Sequence, residues 1–241
     1  MCDNLKVCGF QAPGCAQEYW TTPADKTVPL PSKLTFEQGA LVEPVAVAVH
    51  AISRAGQITG KRVAVLGAGP IGNLVAQVAR SAGARVVVAD VSSYRLAVGS
   101  QCGADGVSNP AQETLAQASA RVFGGGGFDF AFECAGVESA MQSAIEAIRK
   151  GGTIILVGVF GEKPRVDLGL VQDRELNIAG TLMYRKKDYQ HAVELIASGD
   201  IVTDPLVSRH FPFSDYSDAY HFIDAEGSNS MKVFIKLVSE P

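Results

Sequence analysis

The stretch "RVAVLGAGPIG", Arg62 to Gly72, decides the fold. Val63 to Leu66 is apolar without alternation, as in a strand covered on both faces. Beyond it, Ile71, Leu74, Val75, Val78 and Ala79 fall at i, i+3, i+4, i+7 and i+8, one stripe of an amphipathic helix that Gly83 ends. Between strand and helix stand Gly67, Gly69 and Gly72 in the spacing G-x-G-x-x-G. In that context each glycine has its own reason: Gly67 permits a tight turn, Gly69 lets backbone approach a pyrophosphate, and Gly72 lets helix pack on strand. Pro70 suits the first helical turn, and with Ile71 it opens a helix end whose free amides and positive dipole attract an anion.

Working outward, Arg85 to Asp90 reads as a second strand. Asp90 lies 18 residues after Gly72, where a carboxylate accepts hydrogen bonds from the adenosine ribose hydroxyls. A 2′-phosphate would meet that carboxylate. The nearby Arg95 could pair with such a phosphate, but Asp90 holds the ribose position itself, so NAD is expected over NADP.

Helices are expected at Ser93–Cys102 and Gln112–Phe123, and strands at Gly106–Ser108, Phe128–Glu133, Thr153–Val157 and Leu176–Leu182. Val137, Met141, Ala144, Ile145 and Ile148 trace another helical stripe, closed by Gly151 and Gly152. Six strands with helical crossovers make a doubly wound α/β Rossmann domain with a parallel sheet.

The flanks differ in texture. Pro13, Pro23, Pro29 and Pro31 punctuate an irregular beginning, too short to bury its own core. At the other end, Asp188 begins a helix with Tyr189, Ala192, Leu195 and Ile196 on one face, Gly199 stops it, and Met231 to Val238 reads as a strand. Three parts are expected: residues 1–49, a nucleotide-binding domain over 50–190, and a C-terminal helix and strand over 191–241.

The chain has 241 residues, 47% hydrophobic and 19% charged, an ordinary globular composition. Its net charge is -4, with Lys and Arg dispersed, so no nucleic-acid partner is expected. No basic start leads into an apolar segment, and no run approaches the roughly 18 apolar residues of a membrane span. The expected setting is cytoplasmic and the expected partner a small molecule. Five cysteines are too few and odd in number for a disulfide scaffold, yet Cys2, Cys8 and Cys15 crowd the first fifteen residues.

With these residues in place, the chain resembles the zinc-containing medium-chain dehydrogenase/reductase family, most closely its sorbitol (polyol) dehydrogenase-like branch. The resemblance covers nearly the whole chain. It rests on Leu41-Val42-Glu43-Pro44, Val49-His50-Ala51, the glycine loop, Phe132-Glu133-Cys134-Ala135-Gly136, Val157-Gly158, Gly180-Thr181-Leu182-Met183-Tyr184 and Met231-Lys232-Val233.

The resemblance implies a GroES-like β catalytic domain, of which both termini are remnants, interrupted by the nucleotide domain. It implies that a zinc-bound alcohol loses its proton and passes hydride to NAD, zinc acting as a Lewis acid. Glu43 would stand beside the catalytic zinc, as alternative ligand or partner of its water. Cys134 would line the cofactor, and Val157, Gly158 and Leu182 would lie along the nicotinamide. A secondary alcohol or its ketone is the implied substrate, and a homo-oligomer through nucleotide-domain contacts the implied assembly.

Departures from the family pattern set further expectations. The family holds its catalytic zinc with a Cys and a Gly-His-Glu sequence, but none of His50, His191, His210 and His221 precedes a Glu. Cys2 resembles the last of four structural-zinc cysteines, which places the start of the sequence inside the catalytic domain. Cys8 and Cys15 match no ligand position and are expected to pack as small residues. Met183 stands where sorbitol dehydrogenases tend to carry an arginine that holds the polyol. Conventional zinc binding is therefore not expected, and turnover is expected to be impaired. The alternative is a catalytically silent NAD-binding module or truncated gene product. A zinc-free quinone or enone reductase is disfavoured by Asp90, Glu43-Pro44 and the glycine loop.

Overall fold

The computed structural model describes residues 3–237. Helix α1 (Phe36–Ala55) precedes a doubly wound unit of β1 (Arg62–Leu66), α2 (Pro70–Ser81), β2 (Arg85–Ala89), α3 (Ser93–Gln101), β3 (Gly106–Ser108), α4 (Leu115–Phe123), β4 (Phe128–Glu133), α5 (Glu138–Ala147), β5 (Ile148–Leu156), α6 (Leu168–Asp173) and β6 (Asn177–Gly180). The strands form one parallel sheet in the order β3-β2-β1-β4-β5-β6. Order reverses between β1 and β4, so the crevice beyond their C-terminal ends is where such sheets bind ligands.

Period-two alternation sends side chains from each strand into two apolar layers. Val63, Val65, Val86, Val88, Phe132 and Ile155 join α1, α2 and α7 (Lys186–Ser198) in one layer. Ala64, Leu66, Val87, Ala89, Phe128 and Ile154 join α4 and α5 in the other. The strands therefore read as uninterrupted apolar runs.

Helix α1 is not among the elements expected from the sequence. Its N-terminus is a capping box: the Thr35 hydroxyl accepts from the Gln38 amide, and the Gln38 side chain accepts from the Thr35 amide. The helix passes through buried Pro44 and packs on α2 and α7. Position 49/50 lies within α1, and position 190/191 within α7. Two boundaries also move. Ile148, expected as the last residue of a helical stripe, begins β5 and pairs with Phe128. Thr181 and Leu182, expected in the sixth strand, lie beyond β6.

The C-terminal flank holds β7 (Val207–Pro212), α8 (Tyr216–Glu226) and β8 (Lys232–Lys236), with β7 and β8 parallel. Val238, the expected end of the last strand, lies outside the described residues. This flank is stitched to the nucleotide unit. Gln77 exchanges two hydrogen bonds with the Val202 backbone (2.7 and 3.2 Å), and the Ser92 hydroxyl donates to the Ser228 carbonyl (2.9 Å). Residues 3–34 carry a short 3-10 turn at Ala24–Lys26 and an isolated bridge between Cys8 and Ala12. Cys8 and Cys15 are both exposed free thiols, which corrects the expectation that they pack.

Candidate functional site

The glycine loop closes more tightly than its spacing alone conveys. Gly67 adopts φ +100°, a conformation available to glycine, and its amide donates to the Ala89 carbonyl at 2.8 Å. A Cβ on Gly72 would stand 1.7 Å from the Gly67 carbonyl oxygen. Asn73, fully buried, donates from its side chain to the Ala68 carbonyl at 2.5 Å, fixing the loop from the helix side. Gly69 is the N-cap of α2, and no side chain caps that end. Its opening amides and dipole are therefore left for an outside anion.

Asp90 directly follows β2, beside this loop. Its Oδ2 accepts from the Ala68 amide at 2.7 Å and its Oδ1 from the Ser92 amide at 2.8 Å. Each oxygen keeps acceptor capacity for a further donor. Arg95 turns its Nη2 toward the Gly227 carbonyl at 3.4 Å. Gly67, Gly69, Asp90, Arg95, Ser108 and Cys134 line one cavity of about 590 Å³ at the sheet's reversal point. Five of the expected cofactor residues thus share one pocket, while Pro70, Ile71 and Gly72 form the first turn of α2 behind Gly69 and do not line it.

The loops after β4 and β5 converge on Glu133. This side chain is fully buried. Its Oε1 accepts from the amides of Ala135 (2.9 Å) and Gly136 (2.8 Å), while its backbone carbonyl accepts from Val157 and Gly158 (both 2.8 Å). Burial pushes the carboxyl up from its ordinary range, opposed by the amides of Gly136, Ala135 and Val137. The Cys134 thiol is also pushed up, by burial first and then by Glu133. The family resemblance implies Cys134, Val157 and Gly158 at the cofactor but gives Glu133 no function of its own.

Glu43 lies exposed on α1 beside a tyrosine pair. The rings of Tyr184 and Tyr189 meet edge to face with centroids 4.8 Å apart. Burial foremost, then Tyr189 and the Glu43 carboxyl, raise the Tyr184 hydroxyl's pKa. Leu182 is 62% exposed, and Met183 next to it holds φ +53°, a costly conformation for a side chain of that size. His50, of the Val49-His50-Ala51 motif, is buried and its Nδ1 lies 3.0 Å from Asp188 Oδ2. Among the described residues no group of three or more His, Cys, Asp or Glu side chains converges as a metal site. Cys2 lies outside the described residues.

This geometry agrees with comparison to known proteins. A family model described as zinc-binding dehydrogenase matches residues 70–198. The chain belongs to the zinc-binding dehydrogenase family.

Among relatives in this family, 2-dehydro-3-deoxy-L-galactonate 5-dehydrogenase of Pseudoalteromonas atlantica is 36% identical over 240 residues, 100% of this chain and 70% of that protein. Sorbitol dehydrogenase of Ovis aries is 38% identical over 211 residues, 86% of this chain and 58% of that protein. The chain thus spans between 58% and 70% of these relatives' lengths. A structure from Escherichia coli CFT073, described as a short chain alcohol dehydrogenase complexed with NADH, superposes with TM-score 0.88 at 25% identity, over 96% of this chain and 68% of that one. A structure from Sinorhizobium meliloti 1021, described as a zinc-binding dehydrogenase bound to NADP, gives 0.86 at 28% identity, over 98% and 70%. The expected sorbitol dehydrogenase-like resemblance and the Rossmann-like parallel sheet are both confirmed. No helix among the described residues is long and apolar enough to cross a membrane.

Proposed function

We propose that this chain binds NAD(H) in the crevice between β1 and β4, as the nucleotide-binding part of an alcohol or polyol dehydrogenase. The observation that carries the reading is the uncapped α2 end behind a glycine loop, with Asp90 beside it in the same cavity. Bound there, the nicotinamide would accept or return a hydride. The chain's own residues bind and orient: the amides opening α2 face the pyrophosphate, Asp90 accepts from the ribose hydroxyls, and Cys134, Val157, Gly158 and Leu182 border the nicotinamide half. The relatives' names support a secondary alcohol of polyol or sugar-acid type as substrate.

A carboxylate is acceptor-only, so a 2′-phosphate at Asp90 would meet like charge, while Arg95 is turned toward Gly227. NADH at a hundredfold excess over its Kd should stabilise the protein by about 2.7 kcal/mol, or a Tm rise of roughly 5–10 °C. NADPH should give a much smaller rise, and Asp90→Ala should narrow the gap by about tenfold in affinity. Equal shifts with both cofactors in the unaltered protein would overturn the ribose assignment.

The side chains described do not make a donor set for catalytic zinc, and Glu43 alone cannot hold one. We expect NAD reduction by a secondary alcohol to be impaired in this chain by about a thousandfold or more relative to a zinc-loaded relative, the loss of several kcal/mol of Lewis-acid stabilisation. The same observation favours a second reading, an NAD-binding module without turnover. Measured metal content and chelator-sensitive turnover separate the two: residual alcohol-dependent NADH formation supports the enzyme, none supports the module, and full chelator-sensitive rates defeat the expected impairment.

A further inference from the structure

We propose that Glu133 is the positioning residue of the nicotinamide half of the site, fixing the loops after β4 and β5 against each other through one buried side chain and its own carbonyl. The inference rests on the NAD(H) reading above and adds a residue that touches neither cofactor nor substrate. Four backbone amides converge on this residue: Ala135 and Gly136 on Oε1, Val157 and Gly158 on the carbonyl oxygen. Its second oxygen, Oε2, is buried without a hydrogen-bond partner among the described residues and stands 2.8 Å from where a Cβ on Gly158 would lie.

The two loops leave no slack around it. A Cβ on Gly158 would come within 2.4 Å of the Gly136 amide nitrogen, and one on Gly136 within 2.4 Å of the Val159 carbonyl oxygen. The loops therefore touch backbone to backbone, and the side chain that orders the first also sits on the second. A buried acid with one unpartnered oxygen is costly to keep for stability alone. Its position is the junction of the segments proposed to border the nicotinamide, whereas Asp90 and the α2 end serve the adenosine and pyrophosphate half.

That division gives a test that binding alone can read. NADH and ADP-ribose share the adenosine and pyrophosphate, and only NADH carries the nicotinamide. Their affinities are measured by titration calorimetry for the unaltered chain, Glu133→Leu, Glu133→Asp and Glu133→Gln, with bound-NADH fluorescence recorded alongside. Glu133→Leu removes the acceptor, and Glu133→Asp keeps the charge but falls one methylene short of the amides. Both should weaken NADH at least tenfold, change ADP-ribose less than twofold, and shift bound-NADH emission toward that of free NADH. Glu133→Gln keeps an acceptor oxygen and should stay within threefold for both ligands. If Glu133→Leu does not fold, Glu133→Asp carries the same comparison.

Equal weakening of NADH and ADP-ribose assigns Glu133 a merely structural role and overturns the proposal. Unchanged NADH affinity in Glu133→Asp, or a loss in Glu133→Gln as large as in Glu133→Leu, also overturns it. An unaltered chain that binds neither ligand defeats the NAD(H) reading itself, and this proposal with it.

Discussion

Gly72→Ala is expected to abolish measurable NADH binding, a loss of at least a hundredfold, and to lower Tm by roughly 2–12 °C; a titration and a thermal scan read both. The cause is a collision. The added Cβ would lie 1.7 Å from the Gly67 carbonyl oxygen and 2.9 Å from its carbonyl carbon. Relief requires the loop and α2 to part by more than an ångström. Overpacking a buried contact of this kind costs roughly 1–3 kcal/mol, and each kcal/mol is worth about 2–4 °C in a chain of this size. The shift is transmitted to Cys134, whose Cβ is 3.5 Å from the same point.

Gly69→Ala is the informative partner experiment. A Cβ there meets nothing nearer than Arg95 Nη1 at 3.8 Å, so Tm should stay within about 1 °C. NADH should still weaken at least tenfold, because the methyl occupies the approach of the pyrophosphate to backbone. A Gly72→Ala protein that binds NADH normally would show that the loop does not cradle the dinucleotide.

Asp188→Ala is expected to lower Tm by roughly 4–16 °C. The carboxylate is 3% exposed and its Oδ2 serves two donors, His50 Nδ1 at 3.0 Å and the Arg185 amide at 2.6 Å. Removing it leaves the buried imidazole without its partner, about 1–3 kcal/mol, and the first turn of α7 without its acceptor, about 1 kcal/mol. Asp188→Asn retains an acceptor oxygen and should recover at least half of the loss. A double-mutant cycle with His50→Ala isolates the pair, since residues in contact couple and distant ones add. A Tm change under 2 °C in Asp188→Ala would show that this pair does not tie α1 to α7.

The nucleotide unit was legible because its code is local. Glycine spacing, an apolar strand before it and an acid at the end of the next strand lie within thirty residues of one another, and each has a backbone reason. Helix α1 was not, although Thr35 and Gln38 spell its capping box. Ten of its side chains are buried over a broad arc, between α2, α7 and the sheet, so no polar stripe marks its period, and Pro44 argues against a helix interior. Ile148 continued a helical stripe in sequence but pairs with Phe128 in space, where strand pairing overrode local periodicity.

The site divides in the same way. Asp90 could be placed by counting residues. The arrangement around Glu133 could not, because it is made by backbone amides of two loops whose meeting depends on β4 and β5 lying side by side. Glu43 was singled out through family resemblance, but its tyrosine neighbours come from a segment more than a hundred residues later, Tyr184 just before α7 and Tyr189 in its first turns.

The unbroken course of α1 makes it a lever. Twenty residues at about 1.5 Å each give a rod of roughly 30 Å, running from Thr35 to the turn at Gly56. A tilt of about 5° at the Gly56 end would carry the Phe36 end by roughly 2.5 Å, and Glu43 by somewhat less. Residue 49 cannot act as a pivot, since helical hydrogen bonds run through it. A hinge in this segment therefore falls at an end of the rod, and the His50–Asp188 pair, some three-quarters of the way along it toward Gly56, clasps it to α7.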